Sequence, residues 1–208
     1  GGASIPAADP KIPGHSSKVY IMPIMNVQHS GVSDLGTEME STRPVLVHQF
    51  NPWDNKYSND ASLLLPENVL GDDYVILSWT TSPIGLFPIP GFPSDSQNGY
   101  FTVVATVDNT DVSFQVSADV KANGDIPALK PGQIHTVTLD RGQVLNIEAD
   151  PTGIFDPMDL SGSRVWANHP IAVFAGHEEA VVGPKDPPLD SEGQPISGCC
   201  ADHLEEQL

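Results

Sequence analysis

Apolar and polar residues alternate along much of this chain with a period of two. Val112, Phe114 and Val116 fall on one side of a strand, and Ser113, Gln115 and Ser117 on the other. The preceding run, Phe101 to Val107, is apolar and β-branched almost throughout. Joined through Asp108, Asn109, Thr110 and Asp111, the two runs predict a hairpin from Tyr100 to Ser117. Ile134 to Leu139 and Gln143 to Ala149 predict a second hairpin around Asp140, Arg141 and Gly142. Ser163 to Ala167 and Ile171 to Ala175 predict a third, around Asn168, His169 and Pro170.

Further strands are expected over Lys18 to Val27, Arg43 to Asn51 and Asp73 to Thr81. Ser62 to Leu65 reads as a strand or a short helical turn that Pro66 ends. Trp79 and Trp166 lie in strand-like runs and are expected in the core. Ser82 to Asn98 holds four prolines and reads as a loop, as does Gly183 to Gly198. About nine strands, spaced roughly 8–12 residues apart, argue for an all-β fold. The expected architecture is an antiparallel β-sandwich with Pro/Gly-rich loops, as two related sub-sandwiches in a complete domain. Residues 1–17 read as a linker and 18–208 as the β domain. Leu208 is expected to fall inside that domain, leaving it incomplete at its C-terminal end.

Charge narrows the partners. Lys plus Arg number 9 against 27 Asp plus Glu, a formal net charge of -18. Such a surface repels phosphate, which excludes nucleic acid and disfavours an anionic membrane. No apolar run reaches the roughly 20 residues of a spanning helix, so no transmembrane segment is expected. With 20 prolines in 208 residues, long helical bundles are excluded as well.

Candidate chemistry gathers in a few places. His177 stands in a Gly-His-Glu-Glu run and His203 in an Asp-His-Leu-Glu-Glu run, both rich in metal-ligand types. Asp150, Asp156 and Asp159 share one loop, and Asp54 and Asp60 another. Calcium takes six to eight hard oxygens and such loops can supply them, so Ca2+ is the cofactor to test. The same residues also serve ordinary Asx turns, in which the side chain bonds its own backbone. No GxSxG or SxxK run is present, so the residues point to no nucleophilic enzyme. Trp53, Phe87 and Phe92 lie in Pro-rich loops, where an exposed aromatic marks a glycan or protein contact. Cys199 and Cys200 are adjacent. They are candidate disulfide cysteines, either with each other, which is strained, or with a cysteine outside the given sequence.

Several strings fit one family in order: SNDASLLLP from Ser58, YVILSW from Tyr74 and GYFTVVATVDNTDVSF from Gly99. They continue with LDRGQVLNI from Leu139, LSGSRVWANHPIAVFAGHE from Leu160 and CCADHLEEQL from Cys199. Together they resemble the IgGFc-binding protein N-terminal domain family, here in the manner of a bacterial, myxobacteria-like surface protein. Members often carry a Cys soon after the Gly-His, where this chain has Glu178, Glu179 and Ala180. The resemblance implies a non-catalytic module for binding or adhesion at the cell surface or outside it. A structural subunit of an extracellular fibre, coat or matrix is the alternative, and a carbohydrate-active enzyme a third. The implied partners are a protein or glycan at a cell surface, or copies of the chain itself. Fc binding belongs to the animal member and is not carried over.

Overall fold

The computed structural model describes residues 11–23, 25, 27–51, 60–81, 98–150, 158–180, 191 and 202–208. Eleven strands run through them. One sheet has the order β1 (Gly31–Ser33), β8 (Val144–Glu148), β5 (Gly99–Ala105), β10 (Ile171–Ala180), β11 (Asp202–Gln207). A second has the order β4 (Asp73–Val75), β9 (Arg164–Ala167), β6 (Thr110–Gln115), β7 (Ile134–Leu139). A separate two-stranded piece pairs β2 (Val47–Asn51) with β3 (Asp60–Leu64). All pairings are antiparallel, and the expected β-sandwich is present as a single sandwich among the described residues.

The core lies between the two sheets. Phe101, Val103, Leu145, Ile147, Ile171 and Val173 come from the first sheet. Val112, Phe114, Leu139 and Val165 come from the second. Phe101 and Phe114 meet edge to face across the layers, with ring centroids 5.9 Å apart. The strict alternation read at Val112 and Phe114 is thus the inward face of β6.

The three expected hairpins do not form. β5 lies in the first sheet and β6 in the second, and the pairs β7–β8 and β9–β10 are divided in the same way. Each of these turns is an arch from one layer to the other. The turns are bonded to one another: Asn109 N–H donates to Asp140 Oδ1 and Arg141 N–H to Asp108 Oδ1, at 3.3 and 3.0 Å. Asp111 N–H donates to Asn168 Oδ1 at 2.8 Å. Asn109 itself takes a positive φ of 57°, which Asn tolerates better than most residues. Asp and Asn chemistry suits an arch as well as a hairpin, so the local signal is the same for both.

Other expectations are corrected too. Among its described residues Lys18 to Val27 forms no strand, and Val19 and Ile21 face solvent. Pro23 has no N–H to give to a ladder. Trp79 is 39% exposed rather than in the core. Trp166 follows the buried Val165, so the two-residue period turns it to the outer face of the second sheet. β11 occupies a segment for which no strand was expected. The loops expected over 82–98 and 183–198 lie, but for residues 98 and 191, outside the described residues.

Replacing Phe114 with alanine removes the second sheet's ring from the layer contact. Such a truncation costs about 3–5 kcal/mol, and equilibrium urea unfolding of Phe114→Ala is expected to show it. A loss below about 1 kcal/mol would mean that the two layers do not close on each other at this ring.

Candidate polar site on the outer face of the first sheet

The same alternation that buries Phe101 and Val103 turns Tyr100 and Thr102 to the sheet's other face. That face is polar. Glu148 of β8, Tyr100 of β5, Gly176 of β10 and Glu205 of β11 are cross-strand neighbours in one row. Gly176 is the reason the row can work. A Cβ there would collide with the Leu204 carbonyl oxygen, and with no side chain between them Tyr100 reaches across β10 to Glu205. The Tyr100 hydroxyl donates to Glu205 Oε2 at 3.0 Å.

His203 and the hairpin close the cluster. The His203 ring stacks beside Tyr100, with centroids 6.2 Å apart, and its Nε2 lies 3.4 Å from the Tyr100 hydroxyl. Gln49 Nε2 donates to Glu205 Oε1 at 2.7 Å, and Asn51 Nδ2 lies 3.2 Å from His203 Nε2. Asp60 Oδ2 accepts the Glu205 N–H at 2.7 Å, while its Oδ1 accepts that of Ala61 at 2.8 Å. At the other end of the row Glu148 is buried and accepts from Asn98 and Asn146, at 3.3 and 3.2 Å. Thr102 Oγ1 in turn donates to Asn146 Oδ1 at 2.8 Å.

Burial dominates the electrostatics. Loss of water pushes the Glu205 carboxyl above its ordinary value of 4.5 and Asp60 pushes the same way, against His203 and the Tyr100 hydrogen bond. Burial, together with the negative charges of Glu205, Glu178 and Asp60, pushes the Tyr100 hydroxyl far up and keeps it protonated as a donor. The arrangement is a set of hydrogen-bonding groups held in register on the sheet, bonded to one another.

The sequence-derived candidates divide. Asp60 and His203, far apart in the chain, are brought together around Glu205. His177 is not with them. It is fully buried on the core side of β10 opposite Leu204, and its Nδ1 accepts the Glu179 N–H at 3.0 Å. Asp159 serves as an Asx turn, its Oδ1 accepting the Ser161 N–H at 2.8 Å. Asp150 donates its N–H to the Asp119 carbonyl at 2.7 Å and adds negative charge near Lys130. Asp54, Asp156, Trp53, Phe87, Phe92, Cys199 and Cys200 lie outside the described residues. Among the described residues no three His, Cys, Asp or Glu side chains converge as a metal-holding group. Glu205 was named only as part of the Asp-His-Leu-Glu-Glu run, and Tyr100, Gln49 and Asn51 were not expected as site residues. The polar alternation of His203, Glu205 and Gln207 is the signal that could have found one strand of the site.

A carboxyl whose folded pKa is raised binds its proton more tightly folded than unfolded. It therefore favours the fold below the unfolded value and loses that contribution as pH rises through the folded one. Glu205→Gln is expected to leave stability unchanged below about pH 4, where both states are neutral. At pH 7 the variant is expected to be the more stable, by denaturant unfolding across pH 4–8. A variant less stable than wild type at pH 7 would show that the ionised carboxylate is favourable where it sits.

No curated protein and no solved structure matches the chain. No helix of the described residues is long and apolar enough to cross a membrane. A family model described as IgGFc binding protein matches residues 60–208, which takes in β3 to β11 and leaves β2 just before it. With well over half of its length matched, the chain belongs to the IgGFc-binding protein family, a family of binding modules rather than enzymes.

Proposed function

We propose that the chain is a non-catalytic module that binds or adheres to a protein partner outside the cell. The observation that supports this reading most is the outer face of the second sheet. Arg164 grips Asp73 through two bonds, Nε to Oδ1 at 2.8 Å and Nη2 to Oδ2 at 2.5 Å. Its guanidinium also lies over the Trp166 ring, 5.4 Å from the centroid. Val75 and Ile134 flank this group on the outermost strands, 68% and 56% exposed. Trp and Arg dominate the energetics of protein interfaces when apolar neighbours shield them. A rigid four-stranded face presents them without the entropy cost of ordering a loop.

The full chain and an Arg164→Ala, Trp166→Ser double variant are to be compared on immobilised extracellular proteins. IgG Fc belongs in that panel because of the family's name, and glycans serve as the contrasting arm. Wild-type binding to a protein is expected, with at least a tenfold loss in the variant and little change in its urea midpoint. Undiminished binding of the variant would move the interface off this face. Binding to glycans alone would replace a protein partner by a carbohydrate one.

A structural subunit is the second reading. Among the described residues the second sheet ends in β4 and β7, each presenting a strand edge, and such edges invite pairing between chains. Because copies carrying -18 charges repel unless screened, assembly would need cations. Light scattering with calcium and then with excess EDTA tests this. Large particles that dissociate on chelation support a calcium-bridged assembly, and an unchanged monomer in both conditions removes it.

A further inference from the structure

The strands at the ends of the sheets differ in how their edges are protected. An edge carries unpaired backbone groups that can pair with another chain, and proteins blunt it by shortening, charging or covering the strand. β1 and β4 are three residues long. β11 carries Asp202, Glu205 and Glu206. Side chains of β3 cover it, Asp60 Oδ2 and Ser62 Oγ accepting the Glu205 and Gln207 N–H groups at 2.7 and 3.0 Å. β2 passes directly into residues outside those described. β7 has none of these devices. It is six residues long, with four β-branched side chains and no Asp, Glu, Lys, Arg, Gly or Pro. Six-residue stretches of this composition are the ones prone to pair edge to edge.

The packing around β7 shows the same open edge. β7 pairs with β6 over its whole length, from Thr110 opposite Leu139 to Gln115 opposite Ile134. Among the described residues no hydrogen bond leaves its other edge. Val112 and Phe114, inward residues of β6, are fully buried. One strand further out, the inward residues His135 and Val137 are only partly buried. Val137 packs on the core, and the His135 ring meets Phe114 edge to face with centroids 5.8 Å apart. The core is therefore open along β7, where one more strand would close it. Ile134, Thr136 and Thr138 face outward and are exposed.

We propose that β7 pairs with the β7 of a second copy, antiparallel and about a two-fold axis at Thr136, joining two four-stranded sheets into one of eight strands. Charge chooses the occupant. Copies carrying -18 charges repel unless screened, so they approach closely only where the surface is locally neutral. β7 is such a stretch, and it offers no charge by which to select a foreign segment. Charge also sets the register. The faces of the two sheets continue into each other only when outward residues stand opposite outward residues. With Thr136 opposite itself, Ile134 faces the second copy's Thr138, His135 faces its Val137, and Asp140 falls opposite Gly132. With Val137 on the axis instead, Asp140 would stand opposite Ile134. The backbone ladder supplies affinity, and His135 and Val137 gain the cover they lack. A contact that uses the same patch on both copies closes at two. It also sets the two Arg164–Trp166 pairs on one surface, five strand spacings or roughly 24 Å apart, so a partner with repeated sites is held twice. That last step rests on the reading of this face as the interface, and the pairing itself does not.

Sedimentation velocity of the full chain over a concentration series in EDTA tests the pairing. A monomer–dimer equilibrium is expected, tightened by added sodium chloride as the charge is screened. Thr136→Lys and Thr136→Glu each set like charge on the axis, and each is expected to weaken the dimer at least tenfold. Mixed one to one, the two variants are expected to restore it to within threefold of wild type, because lysine then faces glutamate. Hydrogen exchange of the wild type is expected to show protection over 134–138 that rises with concentration, with β4 unchanged.

A wild-type chain that stays monomeric throughout the series overturns the proposal, as do particles larger than the dimer. A dimer that survives Thr136→Lys, or one that the mixture fails to restore, overturns it too. Thr136 is exposed, so neither variant is expected to move the urea midpoint. If one does, the exchange of the wild type over 134–138 decides instead, and protection that does not rise with concentration overturns the proposal. A chain that dimerises through β7 but binds none of the extracellular proteins leaves the pairing standing and removes only its use in binding. A monomer that binds them through Trp166 and Arg164 leaves the binding-module reading standing and removes the pairing alone.

Discussion

The ladder between β5 and β10 is the constraint on which the rest depends. It runs without interruption from Gly99 opposite His177 to Ala105 opposite Ile171. Because side chains alternate along both strands, this one register decides two things together. It aims Phe101, Val103, Val173 and Ala175 at the second sheet, and it aligns Tyr100 with Gly176 on the other side. A slip of one residue would send the aromatic core outward and the polar row inward. Core packing therefore fixes the geometry of the polar site, with no separate device to do so.

The arches follow from the same economy. Each of the turns at Asp108, Asp140 and Asn168 carries the chain from one layer to the other. An arch lacks the ladder that follows a hairpin turn; the Asp140 turn closes one bond of its own, Gln143 N–H to the Asp140 carbonyl at 2.9 Å, and the three turns also bond one another through Asp108, Asp140 and Asn168 side chains. One end of the sandwich is thereby tied across its layers. The polar cluster sits at the opposite end of β5, beside the β2–β3 pair, which is attached to β11 by side chains.

What was legible in the sequence was face, and what was not was partner. The alternation at Val112 and Phe114 gave the buried side of β6 correctly, and the fold class followed from many such runs. The same alternation, applied strictly, would have placed Trp166 outside, since Val165 before it points in. Its place in a strand-like run was read as core, but a strand has two faces and the pleat turns this position outward. The hairpins failed because a turn sequence states that the chain reverses, not which sheet it enters next. Asp60 and His203 were singled out for metal chemistry, yet their meeting point is Glu205, and no spacing in the chain joins Tyr100 to a residue 105 positions away. Only the sheet order does that.

The polar row also has a thermodynamic meaning. A carboxyl pushed above its ordinary range by burial is a group whose ionised form works against the fold. Replacing such a group by an apolar one of similar size is often neutral or stabilising in other proteins. Glu205 is nevertheless built in with care: its N–H is capped by Asp60, its carboxylate is reached by Gln49 and Tyr100, and Gly176 clears the path between strands. Local choices that oppose stability while their surroundings are well ordered are the ones expected at sites that act on something else. On the second sheet Asp73 and Arg164 satisfy each other at the surface, and no comparable tension exists there. The contrast separates a face that offers area from a row whose buried carboxyl works against the fold.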